Sequence, residues 1–147
     1  MKIKRFLDCS PAFTIIFASQ YIAKQMTIVF KKNNLTYLQA MVLVSIFFEK
    51  SNHARPQDLA IFLHTSKSNI SHCLAHLQNE KLIQYEQLPS DKRGSVISLT
   101  ERGQKMVFTL IKYFDDLQNK TEKQFTPEGT KQLIRNIEKL KTIYSPA

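Results

Sequence analysis

The chain has 147 residues, 43% of them hydrophobic, with only three glycines and five prolines. That is enough to bury a core in one domain, and it excludes a linker-rich or disordered chain. The net charge of +9 and pI of about 9.6 suit a polyanionic partner, although a solvated basic surface would show the same numbers.

From the N-terminus, Met1-Lys2-Ile3-Lys4-Arg5 is basic, and Asp8, Ser10 and Pro11 leave no clean apolar stretch after it, so no secretion signal is expected. No apolar run reaches the roughly 20 residues a membrane span needs. Cys9 and Cys73 do not make a disulfide framework. The expectation is a reducing, cytoplasmic setting with no membrane contact. Ser10-Pro11 pairs an N-cap with a first-turn proline and opens a mostly apolar helix to about Phe30. Lys31-Lys32-Asn33-Asn34 breaks it. Thr36-Tyr37-Leu38-Gln39 is a capping box, with Leu35 placed as a hydrophobic staple. The helix it opens, to about Glu49, is apolar on most sides and belongs in the core. Between Met1 and Phe48 one acid, Asp8, stands against six Lys or Arg residues, which concentrates the positive charge.

Ser51 to Arg55 reads as a loop. Pro56 starts a short helix through about Leu63, with Leu59, Phe62 and Leu63 facing inward. His64-Thr65 is a tight turn, and Ser66 is an N-cap for a helix that runs to about Lys81. Ile70, Cys73, Leu74 and Leu77 form one narrow apolar stripe on it, which makes Cys73 an inert core thiol. The opposite face carries Lys67, Ser68, Ser71, His72, Ala75 and His76, and no acid occurs from Leu59 to Asn79. This is the layout of a helix-turn-helix whose second helix enters the major groove. The candidate DNA-binding residues there are Ser66, Lys67, Ser68, Asn69, Ser71, His72 and His76. Hydroxyls and the helix dipole suit phosphates, and Lys67 or Asn69 can read base edges. Plain capping is the competing role of Ser66 and Ser68. His72 and His76 have the i, i+4 spacing of metal ligands but no carboxylate close by, so no metal is expected.

Leu82 to Leu88 and Ser95 to Leu99 are short strand candidates. Asp91-Lys92-Arg93-Gly94 between them is turn chemistry with two cations, Lys92 and Arg93, aimed at phosphates. Thr100 caps a long helix from Glu101 to about Lys123, with Met106, Val107, Leu110, Ile111, Phe114 and Leu117 at helical spacing. Thr126-Pro127 opens a last helix carrying Leu133, Ile134, Ile137 and Leu140. These helices hold more apolar surface than a small DNA-binding domain needs, and a two-fold dimer is its usual outlet. The expected fold is mainly α with a small two- or three-stranded β-wing, in a single domain of residues 1–147. A winged helix-turn-helix lobe occupies about 35–100, and dimerisation helices occupy about 1–34 and 101–147. No G-x-S-x-G, P-loop, H-E-x-x-H or C-x-x-C appears, so neither an enzyme nor a cofactor is expected.

Over nearly its whole length the sequence resembles the MarR-type transcriptional regulators. Asp91 and Arg93 match that family's D-x-R element, and Leu99-Thr100 and Gly103 match its L-T-x-x-G element. Leu35-Thr36 and Gln39 resemble its L-T-x-x-Q helix start, and Ser66 to Ser71 resembles the start of its recognition helix. The resemblance implies a homodimeric regulator, a repressor by preference, on a pseudo-palindromic double-stranded DNA operator. It implies that Arg93 enters the minor groove and that Asp91 orients it. It also implies a small aromatic or phenolic effector, for which Phe13, Phe17, Tyr37 and Phe114 are pocket candidates beside their plainer role in packing. Some relatives sense oxidants with one N-terminal cysteine. Cys9, near Lys2, Lys4 and Arg5 but also Asp8, is the redox candidate, with a bland buried thiol as the alternative. A winged-helix module that binds only protein is the other alternative. The chain departs from the family at Lys81, where glycine is common. His72 and His76 stand where arginine is common, which makes phosphate affinity dependent on pH. The second wing arginine often found after Arg93 is missing.

Overall fold

The structure is a computed structural model that describes residues 2–50, 52–87 and 95–144. The chain divides into two compact units, Met1–Val107 and Phe108–Ala147. The first unit holds α1 (Lys2–Asp8), α2 (Pro11–Lys32), α3 (Tyr37–Phe48), β1 (His53–Ala54), α4 (Pro56–Phe62), α5 (Lys67–Asn79), β2 (Ile83–Gln87) and β3 (Ser95–Leu99). Helix α6 (Glu101–Glu122) begins in the first unit and ends in the second, which also contains α7 (Pro127–Tyr144).

Local chemistry sets most of these boundaries. The capping box at α3 forms in both directions: Gln39 N–H donates to Thr36 Oγ1 at 3.3 Å, and Thr36 N–H donates to Gln39 Oε1 at 2.8 Å. Thr100 and Thr126 cap α6 and α7 by accepting from the amides of Gly103 and Gly129, at 3.0 and 3.1 Å. Ser10 does not act as expected. Its hydroxyl makes no cap hydrogen bond, and its carbonyl instead accepts from Thr14 Oγ1 at 2.9 Å.

Three helices of the first unit end in the same way, each with a left-handed residue that is not glycine. Asn34, His64 and Lys81 have φ of 55°, 48° and 56°. At the last of these, Lys81 N–H donates to Gln78 O and Leu82 N–H to Leu77 O, both at 2.9 Å, which is a Schellman closure. Helix α5 therefore stops at Asn79 rather than at Lys81, and Lys81 takes a conformation that strains any residue but glycine. His64 does the same at the turn after α4, where Thr65 N–H reaches Ala60 O at 3.0 Å.

The sheet is antiparallel with strand order β1-β3-β2. Ala54 pairs with Ile97, and Tyr85 pairs with Ile97 from the other side. The wing thus has three strands, and residues 53–54, read as loop from the sequence, form its outer one. The core gathers Leu43 and Ile46 of α3, Ile70, Leu74 and Leu77 of α5, and Ile97 of β3, all essentially without solvent contact. Burying each such side chain contributes about 1.5–3 kcal/mol.

One further expectation is corrected. Phe62 does not face inward: it is 68% exposed, while Leu59 is buried and Leu63 half-buried. The periodicity of so short a helix cannot fix its rotation. Helix α1 is an element that the sequence pattern does not announce. Among the described residues one helix, α2, is long and apolar enough to cross a membrane by length and composition, with mean hydropathy 1.2 over its most apolar window. Isolated Ser, Thr, Gln and Lys residues interrupt any continuous run in α2 yet leave the average high. Only Phe30 of α2 is buried.

Candidate nucleic-acid interface

Helix α5 presents the face the sequence pointed to. Ile70, Cys73, Leu74 and Leu77 are buried, and this turns Lys67, Ser68, Asn69, Ser71, His72 and His76 to solvent. Burial pushes the Cys73 thiol up to about 12, so it stays neutral and behaves as a core side chain.

The roles within this face separate. Ser66 is a cap: its hydroxyl accepts from Asn69 N–H at 3.1 Å. Asn69 also donates from Nδ2 to Thr65 Oγ1 at 3.2 Å, and Ser71 donates to Lys67 O at 2.9 Å. These bonds hold the first two turns in place while leaving the side chains on the surface. Lys67 and the hydroxyl lone pairs of Ser68 and Ser71 remain directed at whatever lies against the helix. Asp91, Lys92 and Arg93 lie outside the described residues.

The sheet register brings to this helix residues that the sequence did not single out. An open cleft of about 420 Å³ is lined by Arg55 and Gln57 at the start of α4, Lys67 and Ser71 of α5, Tyr85 of β2 and Ser95 of β3. Tyr85 was legible as a strand residue, but its direction depends on its pairing with Ile97. Arg55 was read only as loop. Arg55 also lines a neighbouring hollow, together with Ser45, Glu49, His53 and Asp58.

A second polar group clamps the root of the wing. Glu86 of β2 accepts from Ser98 Oγ and Gln84 Nε2 and meets His53 Nε2 at 3.2 Å, so that β1, β2 and β3 are joined on one face. These hydrogen bonds, that of Ser98 foremost, hold the Glu86 carboxyl down at about 2, below the usual carboxylate range.

Phe13 and Phe17 of α2 stack with centroids 6.5 Å apart, and Tyr37 lies 6.1 Å from Phe30. Phe114 belongs to the second unit, beside Tyr113 at 6.2 Å. Cys9 is exposed between α1 and α2 rather than partly buried.

A short helix, a capped turn, an acid-free second helix and a three-stranded wing are thus assembled in one unit. Residues 35–103 match the family model described as a winged helix DNA-binding domain. The first unit has the winged-helix fold. Its fold is that of MarR-family regulators. The structure of MepR from S. aureus in complex with DNA matches with a TM-score of 0.85 at 20% identity, over 94% of this chain and 99% of that one. A MarR-family regulator from Listeria monocytogenes complexed with 26mer DNA matches at 0.78 and 22% identity, over 90% and 87%. AbsC, a MarR-family regulator from Streptomyces coelicolor, matches at 0.72 and 20%, over 89% and 93%. In sequence, the HTH-type transcriptional regulator BilQ of Clostridioides difficile (strain CD3) is 21% identical over 98 residues, which is 67% of this chain and 66% of that relative. These proteins are transcriptional regulators. The match runs from the Leu35-Thr36 helix start to Gly103.

Proposed function

We propose that this protein is a sequence-specific, double-stranded DNA-binding transcriptional regulator that acts as a homodimer, most simply as a repressor released by a small aromatic or phenolic effector. The observation that carries the DNA reading is the exposed face of α5. It has no acid, it begins with Lys67 and three polar side chains, and it adjoins the strands of the wing. A face of this kind suits phosphate and base edges and is a poor match for a basic or apolar protein partner. MarR-family proteins of the same fold have been captured on DNA.

In this reading α5 lies in a major groove, and the wing, with Lys92 and Arg93 at its tip, reaches the adjacent minor groove, where arginine is favoured. Asp91 orients Arg93. Two-fold symmetry then requires two half-sites about 10 bp apart. The second copy covers apolar side chains left open on α2 and α7, among them Ile16, Tyr21, Leu133 and Ile134. Lys24 within α2 also favours a protein partner there over a lipid one. The setting is the cytoplasm.

Selection of bound fragments from a genomic DNA pool tests the reading. Recovery of a shared pseudo-palindrome is the expected result. A protein that retains no duplex at low salt, or that light scattering finds monomeric at micromolar concentration, would sink it.

A further inference from the structure

The cleft between α5 and the wing has a place in this reading that comes from the shape of a duplex. If α5 occupies the major groove and the wing the neighbouring minor groove, one sugar-phosphate strand separates the two. That strand has to run through the space between helix and wing. The cleft is that space: Lys67 and Ser71 stand on its helix side, Tyr85 and Ser95 on its strand side, and Arg55 and Gln57 at the β1–α4 junction. The residues lining it among those described supply two cations, three hydroxyls and an amide, and no carboxylate.

We infer that this cleft seats the DNA strand between the two grooves and that Arg55 and Tyr85, with Lys67 and Ser71, bind its phosphodiesters. The inference rests on the DNA-binding reading above. The donor set fits. A guanidinium and an ammonium form charge-assisted hydrogen bonds to phosphate oxygens, and a phenol hydroxyl and a serine hydroxyl add neutral ones. Register fixes the phenol: Tyr85 pairs with Ile97 on the strand face shared with buried Ile83, and it remains 42% exposed where that face leaves the core. These contacts carry no base information. They hold the register of α5 and the wing on the duplex.

The test is binding of the full chain to a random-sequence DNA duplex at several salt concentrations, with Arg55→Gln, Tyr85→Phe and, as a control for lost charge, Lys139→Gln on α7. Arg55→Gln should weaken binding about tenfold and lower the slope of log affinity against log salt by about one. Tyr85→Phe should weaken it about three- to fivefold with the slope unchanged, because a neutral hydroxyl displaces no counterion. Both losses should be the same on every duplex sequence. Tyr85→Phe removes one exposed oxygen and carries the test even if Arg55→Gln melts early. Wild-type binding with both variants unchanged, or a loss equalled by Lys139→Gln, overturns the inference and leaves the function standing. A wild-type chain that binds no duplex overturns both.

Discussion

A Cβ placed on Gly103 would stand 2.0 Å from the carbonyl oxygen of Leu82. The first turn of α6 therefore lies directly on the backbone that leaves α5. Thr100 ties the same two places together: its hydroxyl donates to Lys81 O at 2.6 Å and its amide to Leu82 O at 3.1 Å, while the hydroxyl also caps Gly103 N–H. Position 103 accepts only glycine because the atom it would meet is backbone and cannot swing aside. Gly103→Ala should cost about 3 kcal/mol by forcing α6 and the end of α5 apart. Urea denaturation would read the loss; a midpoint equal to wild type would show that the helix can shift freely.

Lys81 offers the opposite experiment. Its left-handed backbone, φ 56°, is one that a side chain disfavours and glycine accepts. Lys81→Gly should stabilise the protein by about 1 kcal/mol, and Lys81→Asn by less. Thermal melting would show this, and a destabilised Lys81→Gly variant would mean that the lysine side chain does more than close the helix.

The wing root should be sensitive to acid. The hydrogen bonds of Ser98, Gln84 and His53 lower the Glu86 carboxyl from 4.5 to about 2 in the folded protein. A depressed carboxylate contributes stability that is fully present above its unfolded value and is lost as pH falls through the folded one. The loss should therefore run between pH of about 4.5 and 2. Denaturation midpoints measured across that range should fall more steeply for wild type than for Glu86→Gln. Parallel curves would show that the cluster does not hold the carboxylate in solution.

Arg93 is the wing residue on which the DNA reading leans most. Arg93→Ala should weaken operator binding by about 1–3 kcal/mol at matched salt and leave dimerisation and melting nearly unchanged. An unaltered affinity would remove the wing tip from recognition.

His72 lies exposed on the α5 face that the proposed function sets against DNA. His72→Arg should raise duplex affinity near pH 8 and steepen the salt slope by about one, and His72→Gln should do neither. Equal salt slopes for wild type and His72→Arg would show that this position does not meet the phosphate backbone.

The sequence by itself determined which segments after Ser10 are helices, where α3, α5, α6 and α7 begin, and which face of α5 is apolar. Those features depend on hydrogen bonds and periodicities that reach no more than about four residues along the chain. Thr36 with Gln39, Ser66 with Asn69 and Thr100 with Gly103 are all of this kind, which is why the caps and the acid-free face could be read directly. Tertiary structure alone decided the rest. A two-residue strand such as His53–Ala54 has no period to detect and exists because Ile97 and Ser98 lie beside it. Phe62 points outward because α4 is too short for its own pattern to fix its rotation. Glu86 meets His53 across 33 residues, and the cleft joins Arg55 to Tyr85. Such neighbours are set by strand register and helix packing, so no local rule of composition or spacing brings them together.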